Sequence, residues 1–292
     1  LSTSLSARRG ALYVCLSAAA WGTGGAAGKL LFASGGLDAV GVSLWRYLLG
    51  ALFLLGTGGL VTSLRAARKR HIAFVGAGMA LYQTAYFAAI AEAGVAVATV
   101  VTMGGTTIVV AAAGRVLLGE RIGRVGLAAL VAALAGLALL ATGTGNGGAG
   151  SGGTALGVAL SLCSAAGYGA VTLYGRRHRA DPTATTVGGF AVGAACLIPF
   201  ALTGRLLPEL TAESVLLLLY LGAVPTALAY ALFFRALTAV SATTASVLSL
   251  GEAVGAAALG VLVLGEPLTL QAAIGGGVLL CAVVVLTAHQ RG

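Results

Sequence analysis

Charge is scarce in this 292-residue chain: Asp, Glu, Lys and Arg together make up 9% of it, and only eight residues are acidic. A soluble domain carries about 25% charged residues. With 59% hydrophobic residues and a mean hydropathy of +1.01, the sequence reads as a membrane protein. The four cysteines (Cys15, Cys163, Cys196 and Cys281) sit singly inside apolar runs without Cys-x-x-Cys spacing, so no disulfide framework is implied. His71, His178 and His289 flank helices at scattered positions and offer no metal-ligand spacing. There is no Gly-x-x-x-x-Gly-Lys-Ser/Thr motif, so direct drive by ATP is excluded, and no cofactor is expected. No His-Glu-x-x-His or Ser-His-Asp pattern supports intramembrane hydrolysis, and long soluble segments are lacking, so neither an enzyme nor an assembly subunit is expected. Nothing reads as a cleaved leader, because the first apolar run, Ala11 to Ala33, is long enough to span.

Glycine, by contrast, is abundant at 46 residues, as transmembrane packing tolerates and uses. The sequence is also written twice. LLGERIGRVGLAALVAALAGLALLA from Leu117 returns as VLGEPLTLQAAIGGGVLLCAVVVLTA from Val263, 146 residues later, and SAAAWG from Ser17 returns as SAAGYG from Ser164, 147 residues later. Apolar runs predict ten spans near 11–33, 38–61, 72–91, 95–116, 124–142, 154–175, 184–203, 212–235, 240–263 and 268–288. Residues 11–142 form one repeat and 154–288 the other, with the Gly-rich stretch 143–153 as an outer linker.

The net charge of +9 raises a nucleic-acid partner, but its distribution marks topology instead. Fourteen of the seventeen Lys and Arg residues fall on one side of the ten-span arrangement, only Arg205 falls on the other, and Lys29 and Arg46 lie inside spans. The positive-inside rule then puts both termini in the cytoplasm, with the basic clusters against anionic lipid. Five spans per repeat is an odd number, so the repeats insert in opposite senses. The first Leu-Gly-Glu is hemmed by Arg115, Arg121 and Arg124, whereas no Lys or Arg occurs between Arg235 and Arg291 around the second, at 264–266. The expected fold is an all-α membrane protein of ten transmembrane helices, arranged as two inverted five-helix repeats around a central cavity.

Glu252 is the sharpest candidate, because hydrocarbon at mid-span costs a carboxylate several kcal/mol. It reads as a ligand for a substrate amine or as a proton-coupling site, with Ser246 and Ser249 extending a polar strip. The alternative is a protonated glutamate bonded between helices beside Gly251-xxx-Gly255. Arg46 lies too deep in the second span to snorkel and reads as a carboxylate anchor or as a structural partner; Lys29 reads as snorkelling, and Asp38 as a partner for either. Trp21, Tyr82, Tyr86, Tyr168 and Tyr230 fall inside spans instead of in the headgroup belts, with Gln83 beside the tyrosine pair. Ordinary packing accounts for any one of them; as a set they suggest an aromatic wall for a small-molecule substrate, with Trp21 and Tyr168 facing each other. Thr99, Met103 and Thr106 give the fourth span a mildly polar face. Pro225 predicts a kink in the eighth span, and Gly24/Gly28 and Gly189/Gly193 read as close-packing pairs.

The run YALFFRALTAVSATTASVLSLGEAVGAAALGVLVLGEPLTLQAAIGGGVLLCAVVVL from Tyr230 closely resembles the EamA domain of the drug/metabolite transporter superfamily. FAAIAEAGVAVATVV from Phe87 and LLGERIGRVGLAALVAALAGLALL from Leu117 are similar but weaker. The resemblance implies an inner-membrane exporter of amino acids or other small metabolites that alternates access through a cavity lined by both repeats. Amino acids, including aromatic ones, are the expected substrates, and apolar cationic drugs or polyamines the alternative. Glu252 matches the family's glutamate, although Ala253 replaces the proline usual after it, and Gly105-Thr106 stands where relatives carry Ser-Pro or Glu-Pro. Ten helices suffice for a monomeric carrier, and a homodimer is the alternative.

Overall fold

Four helices begin at a side-chain cap that the sequence supplies. Asp38 Oδ1 accepts from Gly41 N at 2.7 Å, Thr211 from Ser214 N at 3.1 Å, Ser241 from Thr244 N at 3.0 Å and Thr269 from Ala272 N at 3.1 Å. Each satisfies a backbone donor that the first helical turn leaves open. The computed structural model describes residues 5–34, 36–55, 69–143, 155–178, 182–202, 204, 207–264 and 269–289. The Gly-rich linker after Gly143, the second Leu-Gly-Glu turn and the Lys29 side chain lie outside the described residues.

The first two spans are the helices Ala7–Ser34 and Ala39–Leu55. The third and fourth share one helical stretch, Lys69–Leu118, and the fifth to seventh are Arg124–Gly143, Ala155–His178 and Pro182–Ala201. The eighth runs from Ala212 to Ala236 through a wide turn at Ala223–Leu228. The ninth is split into Ala242–Ser249 and Gly251–Leu264, and the tenth is Leu270–His289. Seven described segments are long and apolar enough to cross a membrane, and Val40–Leu55 is a shorter apolar helix.

The stretch Lys69–Leu118 is two spans folded back on each other. Tyr86 and Thr99 are joined by a 2.8 Å hydrogen bond although a straight helix would set them about 20 Å apart. The sixth span gives the directions. From Gly78 to Tyr82 its partners descend from Val171 to Ser164, whereas from Thr102 through Thr106 to Val109 they ascend from Ser161 through Ala165 to Gly169. One arm runs antiparallel to the sixth span and the other parallel.

The second repeat does the same around the first span. Gly24 lies against Pro225, Ser17 against Ala229 and Gly10 against Ala236, an antiparallel run; Ala18 lies against Gly251 and Gly22 against Gly255, a parallel one. Equivalent contacts recur at the repeat offset. Ser17 Oγ donates to the Ala229 carbonyl at 2.8 Å, and Ser164 Oγ, 147 residues on, donates to the Tyr82 carbonyl, 147 residues back, at 2.9 Å. The ten helices are thus two inverted five-helix repeats. In space, however, each repeat lends its first helix to the other: the first span sits with the eighth and ninth, the sixth with the third and fourth. The second span packs on the seventh and the fifth on the tenth, joining the two interlocked bundles.

The exterior is apolar, with Leu52, Leu216 and Val284 all more than half exposed, as a lipid-facing surface requires. The interior is rich in small and hydroxyl residues, which let backbones meet. At the contact of the fifth and tenth spans, a Cβ on Gly275 would fall 2.7 Å from the Gly136 carbonyl and also strike Leu140 N. Gly275→Ala should therefore destabilise the protein by about 1–3 kcal/mol, while Gly277→Ala, with nothing within 4 Å, should not. Thermal unfolding of the detergent-purified variants measures the difference. Gly28 departs from the close-packing expectation: a Cβ there meets nothing within 4 Å, whereas Gly24 makes room for the Pro225 ring.

Candidate functional site

Two interruptions face the middle of the bundle. Pro225 has no N–H to give, and the chain widens into a π-turn over Ala223–Leu228. Thr226 Oγ1 donates to the Leu221 carbonyl at 2.7 Å and accepts Arg46 Nε at 3.1 Å. The ninth span breaks at Leu250 without any proline, so the departure at Ala253 does not remove the interruption. Glu252 consequently lies in the first turn of Gly251–Leu264, where the helix dipole favours a carboxylate. Discontinuous helices at mid-membrane are where transporters build sites.

The predicted aromatic set converges, though not as a facing pair. Trp21 does not meet Tyr168 directly; both rest on Phe233, with ring centroids 5.3 Å and 6.1 Å away. Trp21 also packs on Tyr230 at 4.9 Å, and Tyr82 stacks between Tyr168 at 4.9 Å and Tyr86 at 6.2 Å. The Glu252 carboxylate acts electrostatically on Tyr82, Tyr86, Tyr168 and Tyr230, and the Arg46 guanidinium acts on Glu252. Among the described residues no ion pair joins Arg46 to Glu252 or to Asp38.

The satisfied and unsatisfied polar groups separate the candidates. Gln83 is buried with both ends of its amide engaged, donating to Ser43 Oγ at 3.1 Å and accepting Tyr47 Oη at 3.4 Å. These bonds tie it to the second span through Ser43 and Tyr47. Ser249 turns back onto the Ala245 and Ser246 carbonyls, and Ser246 reaches Thr107 of the fourth span at 3.1 Å. Thr99 holds Tyr86, Thr106 donates to the Ala165 carbonyl at 3.3 Å, and Met103 is half-buried against the main core. Among the described residues, the Trp21 indole N–H is sealed from water with no acceptor. The Tyr82, Tyr168 and Tyr230 hydroxyls and the Glu252 carboxylate also lack a hydrogen-bond partner there, but their oxygens are not sealed. The arrangement offers a hydrogen-bond donor, three hydroxyls and two opposite, unpaired charges around aromatic faces.

Sequence reasoning missed Phe233, the ring on which Trp21 and Tyr168 meet, and Tyr47, which stacks on Phe190 at 5.4 Å. It also missed that two of the scattered histidines come together: His71 Nδ1 lies 2.5 Å from the Tyr174 hydroxyl, and the His71 and His178 rings are 4.6 Å apart.

Comparison with known proteins points one way. The model of the EamA-like transporter family matches the chain twice, over residues 8–142 and 155–288. A Bacillus subtilis (strain 168) protein described as the uncharacterized transporter YwfM is 30% identical over 290 residues, spanning 96% of this chain and 94% of its own. A crystal structure superposes with a TM-score of 0.82 at 19% identity, over 99% of this chain and all of that one, a likeness of fold.

Proposed function

The chain belongs to the EamA-like transporter family, and we propose that it is a secondary transporter exporting small organic metabolites, with amino acids, aromatic ones among them, as its substrates. The observation that carries this reading is the unpaired placement of Glu252 and Arg46 at one aromatic cluster. A zwitterion brings an ammonium for Glu252 and a carboxylate for Arg46, and an aromatic side chain fits among Trp21, Tyr82, Tyr86, Tyr168 and Tyr230. The Trp21 N–H and the tyrosine hydroxyls supply further polar contacts, with Thr99, Met103 and Ser249 shaping the fourth- and ninth-span walls and Gln83 acting through Tyr47. Access alternates as the two interlocked bundles rock about this midplane site.

The orientation follows the charges. Glu120 meets Arg176, His71 meets Tyr174, and Gly10 meets Val240, so the ends bearing Arg8, Arg9, Arg70, Arg121, Arg124 and Arg177 converge. The opposite end carries Asp38, Glu209 and Glu213. By the positive-inside rule the basic end is cytoplasmic, with both termini there, in a bacterial inner membrane.

Proteoliposomes loaded with labelled tryptophan or phenylalanine test the substrate. Unlabelled aromatic amino acid should compete for efflux, whereas the amine lacking the carboxylate and the acid lacking the amine should compete at least about tenfold less well, each losing one charge-assisted contact. The second reading is export of apolar cations or polyamines, favoured by the Arg46 Nε bond to Thr226, which already gives that guanidinium a structural task. Equal competition by the amine would establish it and overturn the zwitterion reading.

A further inference from the structure

The first Leu-Gly-Glu turn does more than reverse the chain. Gly119 adopts φ +66°, the left-handed glycine that commonly ends a helix, and Glu120 N reaches back across it to donate to the Gly114 carbonyl at 3.1 Å. This aims the Glu120 side chain back across the end of the fourth span. A Cβ on Gly114 would lie 3.2 Å from Glu120 Oε2, so the small residue leaves the carboxylate its space.

The carboxylate reaches the other bundle. Glu120 Oε1 accepts Ala242 N at 3.0 Å, and Oε2 accepts Thr243 N and Thr243 Oγ1, both at 3.3 Å. These amides open the ninth span. Arg176, at the end of the sixth span, pairs with Glu120 at 3.5 Å and donates through Nη1 to the Leu237 and Thr238 carbonyls at 3.1 Å and 3.4 Å, where the eighth span ends. An ion pair carried by the bundle of spans three, four and six therefore grips both sides of the turn between spans eight and nine. Its negative member sits on the positive helix pole and its positive member on the negative pole. The arrangement is complementary in charge and in direction.

We propose that Glu120 and Arg176 form the clamp that holds the two bundles together at the basic end, and that transport requires this clamp to release. A cavity of about 300 Å³ lies beside it between the repeats, lined among others by Glu120, Arg121, Thr243, Thr244 and Leu286. Opening the clamp joins this space to the path toward Ser246, whose hydroxyl bridges the bundles by its bond to Thr107. The inference rests on the transport reading for its role in the cycle and on the arginine distribution for naming the basic end cytoplasmic.

The test uses the full chain with its four cysteines replaced and a single Ser246→Cys reporter, in vesicles of each orientation, treated with a membrane-impermeant thiol reagent. Glu120→Gln and Arg176→Gln should each raise labelling from the basic side by on the order of tenfold, the weight of one lost charge-assisted bond in a two-state equilibrium. The exchanged pair, Glu120→Arg with Arg176→Glu, should not restore slow labelling, because each charge would then face the wrong helix pole. Unchanged labelling in the well-folded single variants overturns the clamp, as does full restoration by the exchange. A separate Arg124→Cys reporter states which face the basic end occupies. No substrate is involved, so failure of the substrate reading leaves this result interpretable.

Discussion

Replacing Glu252 by glutamine should reduce substrate efflux from proteoliposomes by on the order of 10- to 100-fold while leaving the protein folded. The magnitude is that of one charge-assisted contact to the substrate lost at a desolvated site. The repeat itself provides the control for a structural role. Thr106 stands 146 residues before Glu252, at the equivalent position of the fourth span, and gives its hydroxyl to the Ala165 carbonyl of the sixth. That bond ties two helices together, and it is what a packing residue does at this place. Glu252 makes no such bond among the described residues; its carboxylate acts on four tyrosines and is itself acted on by Arg46. Glutamine keeps the volume and removes the charge, and no hydrogen bond of Glu252 among the described residues is lost, so unfolding temperature should stay within a few degrees of wild type. Efflux at the wild-type rate would remove Glu252 from substrate recognition and return it to packing. Repeating the assay with and without an imposed pH gradient separates the two functional roles: a ligand for the substrate amine fails under both conditions, a proton-coupling carboxylate only where the gradient drives transport.

The fold was legible because a bilayer imposes simple rules. Ten apolar runs, two echoes at a constant offset and one-sided arginines were enough to obtain inverted repeats. Their interlocking was not legible, since neither hydropathy nor offset says that the first span nests between the eighth and ninth. The break at Leu250 also escaped, because Ala253 removes the proline that would announce it. Trp21, the intraspan tyrosines, Arg46 and Glu252 stood out by being polar or bulky where hydrocarbon disfavours them. Phe233 did not, because one more apolar ring in an apolar span carries no signal. The bonds of Gln83 to Ser43 and Tyr47 were not legible either, since both partners lie on a different span. In the sequence Glu120 and Arg176 read as topology marks, which charges at span ends usually are. The one hint to the contrary was a lone carboxylate among Arg115, Arg121 and Arg124.

Gly22→Ala should cost far more than Gly169→Ala, although the two glycines end the same repeated hexapeptide. A Cβ on Gly22 would fall 2.8 Å from the Glu252 carbonyl, 3.0 Å from Ala256 N and 3.1 Å from the Gly255 carbonyl carbon, all backbone atoms of the ninth span. A Cβ on Gly169 would meet only side-chain atoms, the nearest being Val109 Cγ1 at 3.1 Å, where a shift of the methyl by a few tenths of an ångström relieves the contact. The sequence explains the difference: Val109 stands where the second repeat has Gly255, so the first-repeat crossing is spaced by a side chain and the second-repeat crossing is backbone on backbone. Adding a methyl at Gly22 must push the first span away from Gly251–Leu264. That motion carries Trp21 from its ring partners and displaces the turn that holds Glu252. An overpacked contact of this kind costs about 1–3 kcal/mol, and a displacement of about 1 Å at a positioning contact costs on the order of 100-fold in rate. Gly22→Ala should thus insert in the membrane but show at least about 100-fold slower efflux and a lowered unfolding temperature. Gly169→Ala should stay within a few-fold of wild type in both measurements. Equal effects at the two positions would mean that the crossing next to Glu252 has no special part in the site, and that the two repeats contribute to it alike.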